Sequence, residues 1–181
     1  MITIVIVDEH NLVRVGIARV LSDIDTFKVI GEAKEGEEAV SLVRKLRPQV
    51  ILMSVKMQGM DGIEATKKLQ QISRSFNIIA IASCNHDVYV SSMIQAGAKG
   101  YITKHSPPEE LIASITAVVK GKLYMSSDIA SQLALQTARG QREQSLFNQL
   151  SNRELQTAMM VVKGGENQIY SRYILCEYKD G

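Results

Sequence analysis

Apolar positions along the chain change period in a regular alternation. Residues 2–7, Ile-Thr-Ile-Val-Ile-Val, form a β-branched run closed by two acids, the pattern of a strand buried on both faces of a parallel sheet. From residue 11 to residue 21 the spacing turns helical: Leu12, Val13, Ile17, Val20 and Leu21 share a face, and Asn11 is the expected cap. The alternation recurs four times, as strand 28–32 with helix 37–46, strand 49–53 with helix 62–72, strand 77–82 with helix 88–96, and strand 99–102 with helix 108–120. Pro108 opens the last helix, where a missing N–H costs nothing. Five strands alternating with five helices predict a (βα)5 doubly wound α/β fold, a parallel sheet with helices on both faces, because right-handed crossovers leave few other arrangements.

After Gly121 the rhythm breaks. Residues 126–136 read as one more helix, and 137–145, polar and rich in charge and glutamine, read as linker. Ser151 stands three residues before Glu154 in capping-box spacing, so a helix through Lys163 is expected, while 168–178 show no clear period. The chain thus divides into a domain over 1–122, a helical linker over 123–149 and a short helical tail over 150–181.

Composition narrows the picture only slightly. Hydrophobic residues make up 45% of the 181 and charged residues 22%, which excludes a disordered or fibrous chain. A net charge of +2 weakens a nucleic-acid reading without removing it, since a basic patch can hide in a near-neutral total. Cys84 and Cys176 match no metal or disulfide spacing and read as free thiols of a reducing cytosol. The N-terminal apolar run is too short for a signal peptide, and no stretch is long enough to span a membrane, so a cytoplasmic protein is expected.

In an open parallel sheet, ligands sit beyond the carboxyl ends of the strands, near the point where strand order reverses. The predicted strands end at Asp8-Glu9, Ser54, Ala82-Ser83 and Thr103-Lys104. Each alone is an ordinary solvated strand end. Two acids, hydroxyls and a lysine on four strand ends together suit a hard cation held beside an anion.

The chain resembles response regulators of the NarL/FixJ class, in particular the GacA/UvrY group, through several segments. These are residues 7–16 (Val-Asp-Glu-His-Asn-Leu-Val-Arg-Val-Gly), 50–53, Met57, 59–62 (Gly-Met-Asp-Gly), 95–101 (Gln-Ala-Gly-Ala-Lys-Gly-Tyr) and Thr103-Lys104. The likeness runs to about residue 136 and resumes at 150–156. It implies a flavodoxin-like, CheY-like receiver, in which Asp8, Glu9 and the backbone carbonyl of Lys56 hold Mg2+. Lys104 falls on the family's phosphate-contacting lysine and Tyr101 on its rotating aromatic.

Three positions depart from that pattern. Ser54 stands at the phosphoacceptor position, Gln58 at the usual proline before Gly59, and Ala82 at the switch threonine or serine. Phosphotransfer needs an ionised carboxylate as nucleophile, whereas an unassisted serine hydroxyl stays protonated at neutral pH. Ser83 does not substitute for the hydroxyl missing at Ala82, because one residue along a strand turns the side chain to the other face. With one carboxylate fewer, Mg2+ binding is expected to weaken, and Lys104 is expected to pair with Asp8.

The tail is expected to be the remnant of a LuxR-type helix-turn-helix, with room for its opening helix only. From residue 147 to 181 the bases Arg153, Lys163, Arg172 and Lys179 are matched by Glu154, Glu166, Glu177 and Asp180, so specific DNA binding is not expected. The function that follows is a non-enzymatic, phosphorylation-independent response-regulator-like protein working through contacts with a sensor histidine kinase, other receiver chains or a second copy of itself. One rival is a constitutive DNA-binding transcriptional regulator; another is a receiver that still phosphorylates itself at an unusual site. Association is expected to involve the helix over 108–120, where Leu111, Ile112, Ile115, Val118 and Val119 are apolar.

Overall fold

A computed structural model describes residues 1–83, 87–127 and 129–131. In chain order the elements are β1 (Ile2–Val7), α1 (Asn11–Ser22), β2 (Phe27–Ala33), α2 (Gly36–Leu46), β3 (Val50–Ser54), α3 (Gly62–Ile72), β4 (Asn77–Ala82), α4 (Asp87–Ala96), β5 (Gly100–Thr103), α5 (Pro108–Val119) and β6 (Tyr124–Met125). All six strands are parallel, in the order β2-β1-β3-β4-β5-β6. The order reverses between β1 and β3, so the crevice of a doubly wound sheet opens where Val7 gives way to Asp8 and β3 ends at Ser54.

Alternation along the strands builds two cores, one on each face. Val5, Val7, Ile51, Met53, Ala80, Ala82 and Tyr101 point to one side, among residues of α2, α3 and α4. Ile4, Ile6, Val50, Leu52, Ile79, Ile81 and Ile102 point to the other, with Leu21 of α1 and Leu111, Ile115 and Val118 of α5. Successive side chains of a strand face opposite ways, and both ways are apolar here, which is why these strands read as unbroken runs.

Two details differ from the sequence reading. Asn11 is the first residue of α1 and does not cap it; His10 precedes the helix in extended backbone, and Asn11 uses its Oδ1 to accept a hydrogen bond from Arg14 Nη2 at 2.9 Å. The sheet also gains a sixth strand inside the stretch expected to be helical linker. Tyr124 N donates to Lys99 O at 3.0 Å and Met125 stands beside Tyr101. Two residues bounded by Leu123 and Ser126 carry no readable period, and their pairing is imposed by the free edge of β5. Of the helix expected over 126–136, Ser127 and Ile129 to Ser131 are helical, and Ile129 is buried in the α2–α4 core. Asp128 and residues 132–136 of it, Cys84, the remainder of the linker assigned to 123–149 and the whole tail assigned to 150–181 lie outside the described residues.

Candidate phosphoacceptor pocket

The pocket is built by three loops at the carboxyl end of the sheet. After β1, Asp8 is 1% exposed, and its backbone N–H donates to Ala33 O at 3.1 Å, which fixes the turn. Asp8 Oδ1 accepts two bonds from His10, one from the backbone N at 2.9 Å and one from ring Nδ1 at 3.0 Å. Arg14, reaching back from α1, donates to the carbonyl of Asp8 at 2.8 Å and lies 3.3 Å from Glu32 of β2. The loop that presents the acids is thus pinned from both sides.

Lys104, at the end of β5, brings Nζ to 3.0 Å from Asp8 Oδ2 and 3.4 Å from Oδ1. Oδ2 has no aligned hydrogen bond, so the ammonium holds this carboxylate by charge more than by direction. Nζ also lies 3.4 Å from His10 Nδ1. The backbone places the lysine: Lys104 N donates to Ala82 O at 2.7 Å, extending the β4–β5 ladder by one residue.

At the end of β3, Ser54 is 2% exposed and its Oγ donates to the carbonyl of Lys56 at 3.1 Å. Val55 N donates to Ile81 O and Val55 O accepts from Gly62 N, so the start of α3 closes directly on this loop. A Cβ at Gly62 would collide with the carbonyl oxygen of Ser54, which explains why glycine follows Asp61. Asp61 caps α3, accepting from Glu64 N at 2.8 Å; burial pushes its carboxyl above the ordinary carboxylate value, and the N–H groups of Glu64 and Ile63 offset part of that. The Lys56 ammonium lies over the Tyr89 ring of α4, 5.3 Å from its centroid. Gln58 N donates to Glu9 Oε2 at 3.1 Å across the rim of the pocket.

Of the residues singled out in the sequence, Asp8 and Lys104 touch, and Ser54 touches the carbonyl of Lys56. Glu9 meets the backbone of Gln58 and neither of those pairs. Tyr101 is fully buried in the same core as Ala82. His10, Arg14 and the Gln58 amide were not anticipated as parts of the site. Position 58 was legible as a departure from proline, and a residue other than proline there brings an N–H; His10 and Arg14 stand in the motif that follows β1.

Residues 4–116 match the response regulator receiver domain family. The chain belongs to that family. Among curated members, the response regulator GacA of Pseudomonas viridiflava is 44% identical over 162 residues, covering 90% of this chain and 76% of its own. Response regulator UvrY of Escherichia coli K12 is 41% identical over 164 residues, covering 91% and 75%. A two-component response regulator of the LuxR family from Aurantimonas superposes with a TM-score of 0.74 at 33% identity, over 76% of this chain and 99% of its own. The receiver domain of RcsB from Salmonella, solved with a phosphomimetic, superposes with a TM-score of 0.67 at 25% identity, over 72% and 96%. The receiver is therefore of the lineage whose named members are response regulators.

Receivers bind Mg2+, and the groups that would hold it here are Asp8, Glu9 and the Lys56 carbonyl. Each is engaged by a donor of the protein itself, and among the described residues no three acidic, histidine or cysteine side chains converge as a metal cluster. As they stand, the residues do not fit a divalent cation. No helix among the described residues is long and apolar enough to cross a membrane.

Proposed function

We propose that this chain is a receiver that signals without phosphorylation, a two-component regulator in lineage that acts through protein contacts. The observation that carries the reading is the side chain at the phosphoacceptor position. Ser54 is a buried hydroxyl whose proton is directed at the Lys56 carbonyl. A carbonyl cannot take that proton, and a protonated hydroxyl is a poor nucleophile at phosphorus. Asp8, the nearest candidate base in kind, is already shared between His10 and Lys104.

Ala82 supports the same reading from the response side. It offers no hydroxyl to follow a phosphoryl group, and Tyr101, the aromatic expected to report such a movement, is already fully buried. Partners on this reading are a sensor histidine kinase, another receiver or a second copy of the chain; sequence-specific DNA binding is not part of it. Incubation with acetyl phosphate and Mg2+, read by intact mass, tests the reading. No gain of a phosphoryl group is expected, and a labelled wild-type chain would show it to be wrong.

A further inference from the structure

We propose that the acid pocket is coordinated from within: donors of this chain occupy the three groups that would otherwise hold a divalent cation, so the pocket keeps one arrangement whether or not Mg2+ is supplied. This rests on the reading of the chain as a phosphorylation-independent receiver and names what regulates that same site, or rather what replaces its regulator.

The three contacts account for the three groups. Lys104 Nζ lies 3.0 Å from Asp8 Oδ2, Ser54 Oγ donates to Lys56 O at 3.1 Å, and Gln58 N donates to Glu9 Oε2 at 3.1 Å. Two of them come from positions where the chain departs from the pattern it otherwise resembles. An ionised aspartate at position 54 would have no proton to give to the Lys56 carbonyl. A proline at position 58 would have no N–H to give to Glu9. The two departures are therefore one change in chemistry: each replaces a residue that leaves a ligand free with one that ties it down.

Hard cations draw affinity from the number and charge of oxygen atoms free to converge. Here an incoming Mg2+ meets one buried carboxylate already neutralised by an ammonium, one carbonyl already accepting a hydrogen bond, and one carboxylate held away at the rim. Entering with Lys104 in place would put two cations beside Asp8, and displacing Lys104 would first break its 3.0 Å ion pair with that buried carboxylate, whose Oδ1 also accepts from His10. The contacts are graded by exposure. Asp8 and Ser54 are buried, so water does not compete for their bonds, while the Glu9–Gln58 bond lies at the surface and is the first to open.

The wild-type chain is melted at constant ionic strength with MgCl2 against NaCl, and no Mg2+-specific rise in Tm is expected up to millimolar cation. A Mg2+-specific rise overturns the proposal. Mg2+ affinities are then measured for Ser54→Asp and for Ser54→Asp combined with Gln58→Pro. Freeing Glu9 should tighten binding by about tenfold, the scale of one charge-assisted hydrogen bond; equal affinities overturn the role given to Gln58. Should the double variant not fold, hydrogen exchange at the Gln58 amide decides: exchange faster in Glu9→Ala than in the wild type supports the contact, and an unchanged rate overturns it. Mg2+ binding without labelling by acetyl phosphate defeats internal coordination alone, whereas labelling of the wild type defeats the reading it rests on.

Discussion

Lys104 answers for the charge of a carboxylate that has almost no contact with water. Its side chain is 16% exposed and that of Asp8 2%, so removing the ammonium leaves a buried anion whose remaining hydrogen-bond donors, among the described residues, are those of His10. Lys104→Met should cost about 3 kcal/mol in urea unfolding, and adding Asp8→Asn should recover most of that loss. Ser54→Asp should restore slow labelling by acetyl phosphate, read by intact mass, because the substitution returns a carboxylate and releases the Lys56 carbonyl together. Asp61 supplies a pH dependence. Its folded-state pKa is raised, chiefly by burial, so the stability linked to it is fully present below about pH 3.8 and is lost as pH rises through the folded-state value. Asp61→Asn keeps the capping oxygen and carries no charge, so its unfolding free energy should vary less with pH across that window than the wild type's. At this scale the sequence showed which residues stand at the strand ends and that position 54 carries a hydroxyl and no carboxylate. It did not show the Glu9–Gln58 bond, because a backbone N–H leaves no mark in the sequence beyond the absence of proline.

Each element has a local cause that could be read, except where the cause is a neighbour. The strands β1, β3 and β4 were legible because both of their faces are apolar, and the Pro108 start of α5 because proline suits a first helical turn. The α1 cap was misplaced by one residue: Asn11 is a common capping type, but the turn is set by His10 bonding to Asp8, an interaction that propensity does not contain. β6 escaped notice because its two residues are a strand only in the presence of β5. The α3 start makes a sharp prediction. Gly62 lies against the Ser54 carbonyl and Val55, so Gly62→Ala must push α3 off the pocket loop. It should destabilise the fold by about 3 kcal/mol, measured by denaturant midpoint, while Gly16→Ala, where an added methyl meets nothing within 4 Å, should not destabilise it.

For the whole molecule, the apolar face of α5 that suggested a docking surface proves to be mostly core: Leu111, Ile115 and Val118 are buried, and Ile112 and Val119 pack against them. Among the described residues the large apolar side chains left in solvent are Met1, Leu123 and a pair on α1, with Leu12 83% and Val15 52% exposed, and only the α1 pair shares one element. Between α1 and α5 lies a cavity of about 250 Å3 lined by Val13, Ile17, Ile81, Ile102 and Leu111. Self-association at high micromolar concentration should therefore depend on α1. Sedimentation velocity should show it abolished by Leu12→Lys with the melting temperature unchanged. Titration of labelled promoter DNA at physiological salt should give no competitor-resistant complex, since the four basic and four acidic residues of 147–181 leave little net attraction to phosphates. The register of the last strand carries a mechanical meaning. Tyr101 and Met125 share a rung, and Ile129, four residues on, is anchored in the core that holds Tyr101. The chain is therefore clamped, at Met125 and again at Ile129, to the strand and the core that hold Tyr101. A pull applied to the described chain at Ser131 would load β5 through these two contacts before it reached Asp8, so the sixth strand is a lever on the fifth.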